Sequence, residues 1–510
     1  MSKRLEYKPL LLTTTVRNPE RFRDMLSVLK NYDGKILTNP LCDEICGELI
    51  RNGLYRPTKE VTDAVKEKWS LSEPLSDKEV RLLLEANPQD HTEAGFDKGW
   101  PSRFDTQFKL GMFFGFIYYK IGEKLEFSEL GNLYIQKSEE DGLTLYANDE
   151  QQVFLNAFVN YHRKNPIQRV LNHNKPLILL LQLLVELEKD KELGSAGLYI
   201  HEIPFLLIWK DNDYKALAQT ILGFRKKYRF NPSREIVFDE VGKVFGGLIP
   251  TKHKIDSITK EYPDELLRKF RLTGLFSLRG NGNILSINKD MAEVVDYILK
   301  NKTDLQEFDT LRDYFKYASV VDEYLINKAK PKVTGITDED QDYLVKWVKH
   351  FGVDAIKSEL ILLSKNRTTS NDILKISASP LRLEFLCSLL LKHRFPNAKV
   401  VANYSRDDEG LPISHAPGNN PDIELHRDLN LDLYEVTLTT GASQAKNEFA
   451  PISRHMNDKV KEAKYRLEAI ETIMVAPSIH SDFLEWTEFW FAKYGQKMKG
   501  LSIKEFVELD

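Results

Sequence analysis

Cysteine is nearly absent from this chain, no apolar run is long, and acid and base almost cancel. Each shortage closes off a class of protein. Three cysteines in 510 residues, Cys42, Cys46 and Cys387, cannot build a disulfide framework. No His or Cys pair completes a zinc spacing around Cys42 and Cys46, so all three read as core or helix-face thiols. The longest greasy stretch, Pro176 to Leu187, falls short of the roughly 20 residues that span a bilayer, and no membrane partner is expected. Met1-Ser2-Lys3-Arg4 leads into mixed charged and apolar residues with no apolar signal core, which makes a cytoplasmic location the expectation. A net charge of −4 gives no overall attraction to a polyanion, so any nucleic-acid surface must be local.

What remains is a globular composition, 42% hydrophobic and 29% charged, on a chain too long for one ordinary core. Helical spacing dominates the beginning. Asn18-Pro19-Glu20 reads as a cap with proline at the first helical position, opening a helix to about Leu29. Further helices are expected over Pro40–Arg51, Lys59–Trp69 and Asp77–Ala86. The pattern then switches to two strands, Met112–Tyr118 and Lys124–Phe127, followed by a helix opened by Ser128-Glu129. Helices followed by a hairpin suggest a first winged-helix-like module over residues 1–147.

A comparable order returns over 148–299. Helical stretches at Pro176–Lys189, His201–Trp209, Asp213–Tyr228 and Asp264–Leu272 precede a hairpin, Leu275–Leu278 and Ile284–Ile287, around the turn residues Gly280-Asn281-Gly282-Asn283. From Lys210 to Arg279 there are 15 Lys/Arg against 9 Asp/Glu. Arg225, Lys226, Lys227, Arg229, Arg268, Lys269, Arg271 and Arg279 are therefore the candidate phosphate contacts of a DNA-recognition module. Residues 300–379 read as a helical connector with a break at Pro331–Thr337. Ser379-Pro380 marks a new start, and residues 380–510 are expected to form an α/β domain.

The last region carries the chemistry. Pro421-Asp422 is followed by Glu435-Val436-Thr437 on two stretches that alternate as strands, Asp422–Leu425 and Leu431–Thr437, joined across Arg427 to Asn430. This is the outline of a PD-(D/E)XK nuclease site, in which two carboxylates converge on a divalent cation that neutralises an anionic phosphodiester. Asp422, Glu435 and the Val436 carbonyl are the candidate metal ligands. Thr437 stands where the pattern usually has lysine.

The flanking residues resemble a specific group. His415-Ala416-Pro417-Gly418-Asn419-Asn420-Pro421-Asp422, Glu435-Val436-Thr437, Gly441-Ala442-Ser443-Gln444-Ala445-Lys446-Asn447-Glu448 and Arg454-His455 resemble, residue for residue and at matching spacings, the motifs of the AlwI/PleI/BstNBI group of type IIS restriction and nicking endonucleases. Phe270-Arg271-Leu272-Thr273-Gly274-Leu275-Phe276 also resembles that group. The resemblance implies catalytic roles for Glu384, Glu448 and His455 beside Asp422 and Glu435. It further implies Mg2+ (or Mn2+), double-stranded DNA cut to 5′-phosphate and 3′-hydroxyl, a cognate DNA methyltransferase, and a bacterial cytoplasm. With Thr437 unable to act as a lysine, Glu448 and His455 become candidates for positioning or deprotonating the attacking water, with Lys446 behind them. Three functions stay open. One is a type IIS endonuclease cutting at a fixed distance from an asymmetric site. The second is a nickase, or the large subunit of a pair, with a homodimer or a small nuclease subunit serving the other strand. The third is a DNA-binding protein with an inactive nuclease domain.

Overall fold

Capping chemistry sets many of the helix boundaries. Thr38 accepts from Leu41 N in front of the helix Asn39–Arg51, Ser128 accepts from Gly131 N at 2.9 Å in front of Glu129–Ile135, and Asp213 accepts from Ala216 N at 2.9 Å in front of Tyr214–Tyr228. Each side chain satisfies a first-turn N–H that has no partner within the helix. The computed structural model describes residues 5–13, 19–70, 73–140, 143–146, 150–168, 170–193, 197–246, 253–329, 337–415, 420–441, 444–445, 448–461 and 469–509. Asn18 and part of the Pro331–Thr337 stretch lie outside them.

The chain is a mixed α+β protein of two compact units. One comprises Met1–Lys59 with Val80–Lys330, the other Glu60–Glu79 with Pro331–Asp510. The residues read as two recognition modules belong mostly to the first unit, and the stretch read as a connector is divided at Lys330/Pro331.

The first unit is mainly helical. Two expectations there need correction. Met112 and Phe113 end the helix Trp100–Phe113, and the strand that follows is only Ile117–Tyr118, paired with Glu126–Phe127. Met112, Phe113, Phe114 and Phe116 are all buried, so the run is apolar on every side and carries no period to separate helix from strand. The helix Arg234–Val244, capped by Ser233, was not anticipated. The later hairpin, Phe276–Arg279 with Ile284–Ile287, lies where expected, with Leu198–Tyr199 added at its edge. Gly280, Asn281 and Gly282 all have positive φ, as a tight reversal requires.

The second unit is built around one five-stranded sheet. Helices α1 (Asp338–Phe351), α2 (Val353–Ser364) and α3 (Ser379–Arg394) precede β1 (Lys399–Ala402), β2 (Ile423–Arg427) and β3 (Asn430–Val436). Then follow α4 (Phe449–Lys461), β4 (Ile470–Ala476), α5 (Ser481–Tyr494), β5 (Lys497–Ser502) and α6 (Ile503–Glu508). The spatial order is β5-β4-β3-β2-β1. Strands β1, β2 and β3 are antiparallel neighbours, whereas β3, β4 and β5 run parallel, and each parallel step is crossed by a helix, α4 or α5, as parallel connections demand. Leu431, Leu433, Met474 and Met498 from the sheet pack with Phe449, Ile452 and Met456 of α4 and Phe483 of α5. Pro451 falls in the first turn of α4, where its missing N–H costs least.

Candidate active site

Strand register brings the two motif carboxylates together. Ile423 pairs with Tyr434 and Glu424 with Leu433. One further step of that ladder sets Asp422 opposite Glu435, and residues directly opposite share a face of the sheet. Asp422 Oδ2 accepts from Val436 N at 2.7 Å. In an extended strand a residue's N–H and C=O point to the same edge, so the Val436 carbonyl faces the Asp422 side as well.

Three further candidates reach this strand end from helices. His455, on the buried face of α4, bonds through Nδ1 to Glu435 Oε1 at 2.7 Å. Glu448, just ahead of α4, takes a 2.8 Å bond at Oε1 from the Thr437 hydroxyl. Continuity across this junction is kept by Glu448 N to Gln444 O and Ile452 N to Glu448 O, at 3.0 and 3.1 Å. Glu384 is buried in α3. Its Oε1 pairs with His415 Nδ1, and its Oε2 has no hydrogen-bond partner among the described residues.

Burial and crowding both disfavour ionisation of the two motif carboxyls. Asp422 is held well above the usual carboxylate range, first by removal from water and then by the charges of Glu384 and Glu435, with the Val436 N–H and His415 pulling the other way. Glu435 is raised by the same desolvation and by Glu448, and lowered by its bond to His455. Carboxylates crowded in a dry site favour protonation unless a cation joins them. Among the described residues no group of three or more His, Cys, Asp or Glu side chains is arranged to hold a metal. The donor set that fits one is two carboxylates and a main-chain oxygen, with the orphaned Glu384 Oε2 nearby. Hard oxygen ligands of this kind suit magnesium or manganese.

Two contacts escaped the sequence reading. Thr437 anchors Glu448, a role its hydroxyl suits and its place in the motif only hinted at. His415 sits against Glu384, and its only signal was its position in the matched run. Lys446 and residues 416–419 and 442–443 lie outside the described residues.

The candidate phosphate contacts do not survive as a set. Arg225 is fully buried, its guanidinium held by Glu202 at 2.8 and 2.6 Å and by the carbonyls of Leu193 and Gly197. Lys269 is buried against Glu265, and Arg271 is buried with a bond to Phe276 O at 3.4 Å. These three are structural cations with no access to a phosphate. Arg268 and Arg279 are half-buried, bonded to Asp264 at 3.3 Å and Ser286 at 2.7 Å. Lys226, Lys227 and Arg229 are exposed, Lys227 within 3.0 Å of Glu240.

The family model described as AlwI restriction endonuclease matches residues 112–358 and 324–509. No curated protein matches significantly. Among solved structures, the small subunit of the heterodimeric restriction endonuclease R.BspD6I is 20% identical, covering 29% of this chain and 74% of its own, at a TM-score of 0.24. Restriction endonuclease FokI is 11% identical and covers 98% of this chain and 95% of its own, at 0.23. FokI bound to DNA is 11% identical, with 99% and 95% covered, at 0.24. No helix among the described residues is long and apolar enough to cross a membrane.

Proposed function

From a chain that belongs to the AlwI restriction endonuclease family, and so is a site-specific nuclease acting on DNA, we propose a type IIS enzyme. In this reading it recognises a short asymmetric site, cuts at a fixed distance outside it, and works through a PD-(D/E)XK centre in its second unit. The observation that carries the reading is the placement of Asp422 across from Glu435 with their charges unbalanced. Asp422, Glu435 and the Val436 carbonyl would hold magnesium, with manganese as a substitute. When bound, the cation supplies Lewis-acid neutralisation of the phosphodiester.

The chain's own groups do the rest. Thr437 fixes one oxygen of Glu448 and leaves the other to orient the attacking water or accept its proton. His455 fixes the rotamer of Glu435 and so acts through that carboxylate. Glu384 adds charge beside Asp422. Water attacks phosphorus, the bond to the 3′-oxygen breaks, and a 5′-phosphate and a 3′-hydroxyl result. The recognition surface belongs to the first unit, and a cognate methyltransferase would protect the host's own sites in a bacterial cytoplasm.

Incubation with supercoiled plasmid and magnesium tests this. Linear product is expected, and run-off sequencing of its ends should show one fixed offset. Nicked product would instead identify a strand-specific enzyme or one needing a small subunit. Unchanged plasmid at every metal and protein concentration would defeat the reading. Leu484, Trp486, Phe489, Phe491 and Tyr494 of α5 are exposed, but at helical spacing they fall around the helix and not in one stripe, so a homodimer and a small nuclease subunit stay equal outcomes for the opposite strand.

His455→Ala is expected to raise the magnesium concentration needed for half-maximal cleavage by about 10–100-fold, as loss of a group supporting a ligand does. DNA affinity in calcium should not change. A variant with the wild-type magnesium requirement would remove His455 from the ligand support.

A further inference from the structure

The first unit carries an aromatic ledge that the nuclease chemistry does not use. Helix Tyr214–Tyr228 ends with Arg229 at φ 62°, ψ −147°, a region that side chains other than glycine's rarely occupy. This turn presents Phe230 to solvent. Phe230 is not loose, for its ring lies 5.3 Å from that of Tyr199, which stacks on His201 at 5.5 Å and rests on the Arg225 guanidinium at 5.1 Å. Arg225 is in turn locked by Glu202. The backbone beside the ledge is fixed too. Tyr199 pairs with Ile284, and Ile200 N donates to Asn283 O at 2.9 Å, which joins the ledge to the hairpin tip. His201 Nε2 has no partner. Lys226 and Arg229, four residues and one residue before Phe230 in the chain, are exposed, and among the described residues neither forms an ion pair.

We propose that Phe230 is a DNA wedge, a rigid apolar side chain pressed against a base step of the recognition site while Lys226 and Arg229 take the flanking phosphates. This rests on the functional reading above, since it gives the first unit its DNA-facing surface. Charge complementarity selects DNA as the occupant, because two exposed cations without acidic partners among the described residues stand at the helix end that carries the ring. An exposed aromatic braced from behind supplies stacking at little conformational cost, and phosphate contacts from the same helix end hold it in register.

The test is fluorescence anisotropy of the full-length chain on a labelled duplex taken from the plasmid segment that the wild type cuts. It is run in calcium across a salt series. Phe230→Ala should weaken binding about tenfold with the salt slope unchanged, and Phe230→Trp should restore most of it. Lys226→Ala and Arg229→Ala should each flatten the plot of log affinity against log salt by about one ion. Wild-type affinity in Phe230→Ala overturns the wedge, as does a loss accompanied by a lowered melting temperature. A wild type that neither binds nor cuts DNA would instead sink the functional reading, so the two failures are distinguishable.

Discussion

Asp422→Ala is expected to lower the single-turnover cleavage rate on the order of 10³-fold or more, while binding to the same duplex in calcium stays within a factor of about two. The size follows from losing several kcal/mol of metal-assisted charge stabilisation when each ~1.4 kcal/mol is tenfold in rate. Binding should survive because the exposed basic side chains at Lys226, Lys227 and Arg229 belong to the other unit. The substitution also removes the acceptor for Val436 N at 2.7 Å, so Asp422→Asn is the companion variant. It preserves an oxygen for that N–H and loses only the charge, and it should be nearly as inactive. If Asp422→Asn cut plasmid at the wild-type rate in magnesium, the carboxylate would have no part in the chemistry.

The second large effect is on stability. Arg225→Ala is expected to destabilise the first unit by about 3–5 kcal/mol, the usual cost of breaking a buried pair and stranding one charge. Glu202 is the charge that would be stranded, since both side chains are fully buried and the guanidinium makes two bonds to the carboxylate. Against the roughly 5–15 kcal/mol that holds a typical domain, this is a large fraction. Urea unfolding should show the first unit's transition at a clearly lower midpoint, with the second unit's transition as the reference. Glu202→Leu together with Arg225→Met should recover much of the loss, because an apolar pair leaves nothing uncompensated. An Arg225→Ala protein unfolding at the wild-type midpoint would show that the pair contributes no stability.

The same arginine shows where sequence reasoning runs out. Arg225-Lys226-Lys227-Tyr228-Arg229 reads as one basic run, yet helical geometry turns Arg225 inward to Glu202 and leaves Lys226 outward. The partner carboxylate lies 23 residues earlier in the chain, and no local pattern announces it. Lys269 fails in the reading for the same reason with Glu265, where an i,i+4 spacing looks like an exposed helix pair and only burial reveals otherwise. The strands of the second unit were more legible. Ile423–Arg427 and Asn430–Val436 alternate cleanly, and Ile470–Ala476 is an apolar run of strand length. By contrast β5, with Lys497-Met498-Lys499-Gly500-Leu501-Ser502, is lysine-rich and glycine-interrupted and passes for loop until β4 pairs with it. The motif residues point to the candidate site, but the hydrogen bonds that give Thr437 and His415 their places come from tertiary geometry alone.

Residues Glu60–Glu79 belong to the unit that is otherwise made last, and this sets an order on birth at the ribosome. At about 5–20 residues per second, the roughly 250 residues from Val80 to Lys330 take about 12–50 s to emerge. Throughout that interval Val65, Trp69 and Leu75, all buried in the finished chain, wait for the rest of their unit. Until then they are exposed apolar surface of the kind that chaperones cover. Proteolysis between Lys330 and Pro331 would likewise release a fragment without this segment, so the second unit cut free at that point leaves part of its own fold behind.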